Sequence, residues 1–279
     1  MDYSKESGME KGLLVAFLAV IFWSLLLVTS RYMVTTMELN AWNFSFIQLI
    51  FGGLAMLLIA GPGESGMNTL KHSYTWWWGA LRTMSVVTYT SALIYTTATE
   101  ASIMEHVDIF IGVLLGWIFL GRKPSKSDIP GHILIFIALA IVVAGHDGGL
   151  ANPAIWLVGF SGFAIAVTSF LAEIHPESNK AAGVKGRARF TGIVLMVTAF
   201  VFFMMTMIIP LLSAKFPQLL ENEVYAYLTH TMPTLQDYLD PKLWMAGAVV
   251  GALMRGPVMY FSFLAIRLLK TDNYLMFIT

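Results

Sequence analysis

Eight stretches of this chain, at about residues 12–30, 41–60, 76–96, 101–120, 129–145, 153–172, 190–212 and 243–266, are apolar and long enough to cross a hydrocarbon layer roughly 30 Å thick, and a ninth opens near Asn273. Inside such a layer no water is available to bond backbone amides and carbonyls. A chain that crosses it must satisfy them internally, as helices or as a closed barrel. The runs are filled with Leu, Ala, Met, Ile and Phe and lack the two-residue alternation of barrel strands. The expected fold is therefore an all-α integral membrane bundle of eight full spans plus the start of a ninth. Charged residues make up only 12% of the chain, about half the roughly 25% of an ordinary soluble domain, which excludes a soluble globule.

The first run follows a short polar segment with Lys5 and Lys11, an arrangement that also begins a secretory signal. Its length, and the lack of a small-x-small cleavage site before Arg31, mark a retained span instead. Cysteine is absent, which removes disulfides and thiolate metal sites. The cations carry the orientation. With the N-terminus in the cytoplasm and the spans alternating, Lys5, Lys11, Lys71, Arg122, Lys123, Lys126, Lys180, Lys185, Arg187, Arg189, Arg267 and Lys270 fall inside, and only Arg31, Lys215 and Lys242 fall outside. Cytoplasmic loops collect Lys and Arg, so this orientation is expected and its reverse is not. The basic run from Lys180 to Arg189 is short and lies between two spans, so it reads as a topology signal rather than a nucleic-acid patch. The one long loop, residues 213–242, is acidic and aromatic and falls on the outer face, either as a surface insertion or as an interfacial helix or lid.

Two segments look like copies of one another. GALRTMSVVTYTSALIYTTATEASIM begins at Gly79, and GALMRGPVMYFSFLAIRLLKTDNYLM begins at Gly251. With Met254 treated as one inserted residue, Arg82 aligns with Arg255 and Ala92 with Ala265. No Lys or Arg follows the first copy, whereas the second ends in Arg267 and Lys270, so the motif enters the membrane in opposite directions. Inverted repeats of this kind are characteristic of secondary transporters.

The region ASIMEHVDIFIGVLLGWIFLGRKPSKSDIPGHILIFIALAIVVAG resembles the fourth and fifth helices of ten-span EamA-type carriers of the drug/metabolite transporter superfamily. Ala101 and Ser102 open the helix, Trp117, Leu120 and Gly121 close it, and Gly131 starts the next. Trp23 with Ser24, and QLIFGGLAMLLIA, fit the first two helices of that family. The sequence departs from the usual pattern at Ile109, where many members have proline, at Arg122, where many have glutamate, and at Gln48, where many have arginine. The resemblance implies two five-helix repeats, here residues 1–146 and 147–279, with the second stopping at Thr279 opposite His106 of the first. On that reading the sequence is truncated within the ninth span. The resemblance also implies a central cavity between the repeats, lined by the third and fourth helices and their counterparts.

Within the spans an ionised side chain costs at least about 2.5 kcal/mol on insertion scales, so each one needs a partner or a purpose. Glu105, His106 and Asp108 lie in the fourth span, Arg82 in the third and Arg255 in the eighth. Arg82 falls roughly 15 Å of helix beyond Lys71, near the midplane, and Arg255 lies at the equivalent depth. Glu105 and Asp108, three residues apart, share a helix face, with His106 turned about 100° away. Two readings follow. Either Arg82 neutralises a carboxylate and locks the third and fourth spans together, or a carboxylate, with His106, binds a proton on one side and releases it on the other. Unpaired, Arg82 and Arg255 suit an organic anion. Paired, they leave Trp23, Tyr89, Tyr95 and Tyr260 to favour amphipathic or cationic compounds. Gly256 and Pro257 interrupt the eighth span and predict a hinge there, while Gly112 with Gly116 and Gly247 with Gly251 predict close helix packing.

No HExxH, GxSxG or GxxxxGK[ST] motif is present, so a membrane protease, a hydrolase or an ATP-driven pump lacks its usual machinery. EIHPE, residues 173–177, could hold a metal but reads better as a capped helix end. The sequence thus points to a secondary carrier in a cell inner membrane. It moves a small organic metabolite or drug by alternating access, with export as the expected direction and protons as the expected coupling ion. No cofactor, metal or nucleic acid is expected, and the partners are the lipid bilayer and the solute. The competing classes are an integral-membrane enzyme acting on lipid-like substrates through Glu105, His106 and Asp108, and a non-transporting membrane subunit or fragment.

Overall fold

The computed structural model describes residues 3–278 except 64, 65, 125, 127, 128, 147 and 235, and describes no side chain within residues 3–8. The Lys5 side chain, Thr279 and the chain ending expected there lie outside that description. Among the described residues every regular element is a helix. They are α1 (Tyr3–Thr35), α2 (Ala41–Ala60), α3 (Ser73–Ala92), α4 (Ala98–Glu105), α5 (Val107–Leu120), α6 (Ile129–Gly145), α7 (Pro153–Ile174), α8 (Pro176–Lys180), α9 (Gly183–Lys215), α10 (Glu223–Thr231), α11 (Pro241–Val250) and α12 (Gly256–Ile278).

Local chemistry sets the ends. The Asn40 side chain accepts from the amides of Trp42 and Asn43 and opens α2, and Gly61, at φ 66°, closes it. Leu120 and Gly121 end α5 through a Schellman turn, in which Arg122 N–H donates to the Gly116 carbonyl and Gly121 N–H to that of Trp117. The third span is shorter than the apolar run predicts. α3 stops at Ala92, residues 93–95 make three-residue turns, and Thr97 with Glu100 forms a reciprocal capping box that starts α4.

Among the described residues six helical stretches are long and apolar enough to cross a membrane: Met9–Thr35, Ala41–Ala60, Ala98–Leu120, Pro153–Ile174, Gly183–Lys215 and Pro241–Ile278. Two of the eight expected spans are missing from that set for separate reasons. α6 is apolar but short, and α3, though 20 residues long, is interrupted by Arg82 and a series of Ser and Thr. The last stretch holds more than one span's worth of chain. Lys270 takes φ 74° and breaks α12, so the helix that resumes at Thr271 is a separate piece.

The core gathers α2, α3, α7, α9 and α12, with α1 laid along α12. Small residues allow the closest approaches: a Cβ on Gly251 would stand 2.7 Å from the carbonyl oxygen of Gln48, and one on Gly112 would stand 2.6 Å from Leu275. Gly247 likewise abuts Ile47, whereas Gly116 faces only the Arg122 side chain. α6 has no buried residue among those described. It is set off from α5 by an apolar groove of about 390 Å³ that includes Phe110, Trp117 and Phe136.

The two copies of the motif run in opposite directions. The start of α3 meets the end of α7, where Thr75 lies 2.9 Å from His175. The end of the third-span segment meets the long loop, where Tyr95 donates to Glu223. α11 leaves that loop, and its continuation through α12 reaches the end of α7, where Thr271 donates to Glu173. α10, within the loop, is a nine-residue helix tied down by Asn40 and Trp42, which donate to the carbonyl and hydroxyl of Thr231.

Candidate functional site

The centre of the bundle is organised around one indole. Trp23, on α1, has the Arg82 guanidinium 5.3 Å from its ring centroid and that of Arg255 5.7 Å from it. Both distances fall within the range where a cation is drawn to an aromatic face. Repeat-equivalent arginines on oppositely running helices thus converge on a single side chain. Held to one ring, the two guanidinium carbons are at most about 11 Å apart, and at an effective dielectric of 20 they repel by at least about 1.5 kcal/mol.

Arg82 has compensation within reach, since Glu105 and Asp108 both lie in its electrostatic field. Neither of them bonds to it. Among the described residues neither arginine makes an ion pair or a hydrogen bond, and the Arg255 Nε is buried without a partner. The alternative in which Arg82 pins a carboxylate to lock the third and fourth spans therefore has no direct contact to support it. The charged neighbour recorded for Arg255 among the described residues is Arg82, another cation.

The carboxylates are placed by a break in the fourth span. Residues 98–120 do not form one regular helix: at His106, with ψ near 0°, His106 N–H donates to Ile103 and Ile109 N–H to His106, both three residues back. This tightened step separates α4 from α5 and alters the simple i, i+3 relation between Glu105 and Asp108. α7 approaches closely at this step, where a Cβ on Gly162 would stand 2.7 Å from the Glu105 carbonyl oxygen. Glu105 accepts a 2.7 Å hydrogen bond from Ser161, whose hydroxyl also lies 2.9 Å from that of Ser85. Asp108 is 1% exposed, and its Oδ1 has no hydrogen-bond partner. An Asp in that state is expensive to leave ionised in an apolar bundle. The His106 ring turns back on α4, with Nδ1 donating to the Ser102 carbonyl at 2.7 Å.

Arg255 is aimed by a π-turn. Pro257 has no N–H to offer the carbonyl four residues back, and residues Gly251–Arg255 widen into a π-turn in which Gly256 N–H donates to Gly251. Such turns recur at functional sites in other proteins. The expected interruption at Gly256 and Pro257 is thus a local change of helix type on their N-terminal side, packed against Gly52 of α2.

The remaining sequence candidates are dispersed. Tyr89 packs with Ala92, Ala101, Met104 and Val158, within reach of Glu105. Tyr95 is spent on the outer loop through Glu223. Tyr260 packs beside Met56, Ala60 and Ala188 and lines a small crevice with Arg187 and Arg267. The sequence reading overlooked Tyr274, which is buried near Arg82 and Asp108 and comes from the helix resumed after Lys270.

It also undervalued Glu173, the first residue of EIHPE. Glu173 is buried at the end of α7, where Oε1 receives Arg122 at 2.6 Å and Oε2 accepts both the amide and the hydroxyl of Thr271, at 2.9 and 2.8 Å. Arg122 continues to Asp272 at 3.1 Å. One carboxylate therefore ties together α7, the end of α5 and the break in α12. Its neighbours His175 and Glu177 are used structurally: His175 Nδ1 accepts the Glu177 amide, and burial together with the His72 charge holds the His175 imidazole down at about 4. Among the described residues no group of three metal-ligating side chains assembles here or elsewhere.

Six helical stretches long and apolar enough to cross a membrane, with a polar cluster inside the apolar bundle they form, mark a multi-pass membrane protein. Residues 10–144 match the EamA-like transporter family, and the resemblance to EamA-type carriers of the drug/metabolite transporter superfamily is borne out over that stretch. No curated protein matches the chain.

Proposed function

We propose that this protein is a secondary carrier that exports a small organic metabolite or drug by alternating access, in exchange for protons. The observation that carries the reading is the convergence of Arg82 and Arg255 on Trp23, from helices running in opposite directions, near the buried Asp108, whose Oδ1 has no hydrogen-bond partner. A fixed site between two inverted halves is what alternating access requires, because rocking one half against the other exposes the same groups to each side. Asp108 is the coupling residue, Glu105 and His106 assist it, and Trp23, Arg82, Arg255 and Tyr89 contact the solute. The π-turn before Gly256 and Pro257 is the hinge.

The membrane is a cell inner membrane, with the N-terminus and the polar end formed by Arg122, Glu173 and Arg267 in the cytoplasm. This orientation rests on the surplus of cations at that end. Residues 1–146 and 147–279 are the two repeats, with eight spans and the start of a ninth. The family match favours transport over the enzyme and subunit readings.

Liposomes containing the protein and an internal pH dye, screened with amino acids, organic anions and cationic drugs, test the proposal. A solute-dependent proton flux that disappears in Asp108→Asn, with the variant still inserted, is the expected result. Full flux in Asp108→Asn overturns the coupling assignment.

A further inference from the structure

Within that carrier reading, the charges around Trp23 specify the substrate class, and we propose that the solute is an organic monoanion whose carboxylate is held by Arg82 and Arg255 over the Trp23 ring. Arg255 is a cation inside an apolar bundle, unbonded at Nε, and its charged neighbour is another cation. A buried charge with no partner is a large penalty unless something brings the opposite sign. Among the described residues no carboxylate is set against Arg255. With Glu105 set against Arg82, and Asp108 holding its proton as the carrier reading has it, the unmatched charge is about one, at Arg255.

Geometry selects the kind of anion. A guanidinium offers parallel N–H groups in a planar fork that matches a carboxylate. A phosphate monoester, at close to two negative charges near pH 7, overcompensates one unmatched cation and meets the Glu105 carboxylate. A cationic solute faces two guanidinium groups and is repelled. The same reasoning gives the π-turn a purpose, since it sets Arg255 beside the ring that Arg82 already flanks.

The test uses the purified protein in nanodiscs with three probes of one shape, benzoate, phenyl phosphate and benzylammonium, followed by thermal shift, and the same probes in counterflow with proteoliposomes. Benzoate is expected to stabilise the protein saturably and to exchange across the membrane, with the other two at least tenfold weaker. Arg255→Gln is expected to raise the half-saturating benzoate concentration at least tenfold. Arg255→Lys, which keeps the charge but not the fork, should give an intermediate value and guards against misfolding of the first variant. Lys215→Gln, on the outer loop, is expected to match the parent. Exchange of benzylammonium without benzoate, or stronger binding of phenyl phosphate, overturns the monoanion assignment and leaves the carrier standing. Benzoate binding lost in Arg255→Gln but without flux of any probe supports the site and sinks the carrier reading.

Discussion

Glu173→Gln is the substitution whose effect is most directly worked from the geometry. The carboxylate takes three hydrogen bonds, one from Arg122 and two from Thr271, and is 3.9 Å from the Lys270 ammonium. Glutamine keeps the shape and one acceptor oxygen. Its amide group must then point a donor at either Arg122 or Thr271, so at least one charge-assisted bond is lost and one donor is turned against another. A bond to a charged group contributes about 1.5–3 kcal/mol. Arg122 is partly exposed and retains Asp272, which places the net loss near the lower end, at about 2 kcal/mol. At about 1.36 kcal/mol per factor of ten, this shifts the balance between the closed and open forms of that end by roughly 30-fold. The assay is favoured by the absence of cysteine. Ser169→Cys, one turn before Glu173 and buried, supplies a single thiol, and the rate of labelling by a membrane-impermeant maleimide applied to that face reads the open fraction. A rise of about 30-fold on adding Glu173→Gln is expected. An increase below about threefold, with the variant folded and Ser169→Cys alone protected, refutes the idea that this carboxylate holds the end shut.

Two further predictions concern stability. The depressed His175 imidazole binds protons less readily in the folded than in the unfolded chain, so its contribution is fully present above pH about 6.5 and is lost as pH falls towards 4. Allowing for solvent screening, this amounts to about 2 kcal/mol, and His175→Gln should flatten the fall in Tm between pH 7 and 5. Gly162→Ala drives a methyl group against the Glu105 carbonyl and Val107. Overpacking of this kind should cost about 1–3 kcal/mol, seen as a lower Tm, and an unchanged Tm would show that the junction at His106 is not held by α7.

How legible this molecule is from sequence depends on which forces place each part. α2, α5 and α6 end within a residue of the apolar runs, because hydrophobic thickness and local caps at Asn40 and Gly121 act on neighbouring residues. The pairing of Arg82 with Arg255 was readable because it is written twice, and the structure turns that internal similarity into proximity at Trp23. The break at His106 was hidden, since nothing in EASIMEHVDIF is a helix breaker and the element packed against it carries its contact glycine more than fifty residues away. Glu173 was similarly masked. Beside His175 and Pro176 it looks like an ordinary helix end, and only the return of Thr271 and Arg122 to the same spot shows what the carboxylate does. Tyr274 enters the cluster through the break at Lys270, a positive φ at a residue type with no preference for it.

The extra residue needed to align the two copies, Met254, falls inside the π-turn of residues 251–255. Adding one residue to a regular helix would rotate everything beyond it by about 100°, sending Ser262, Phe263 and Ile266 away from the interior they now occupy. Widening a single turn takes up the addition and leaves both flanks in phase. The two halves of the bundle consequently match in the faces they present but differ in mechanical character. α3 continues unbroken from Ser73 to Ala92 as a stiff rod, whereas its counterpart carries a slack turn at the level of its arginine. A load applied equally to both arms would bend only the second, giving a pseudo-symmetric molecule a preferred side from which to flex.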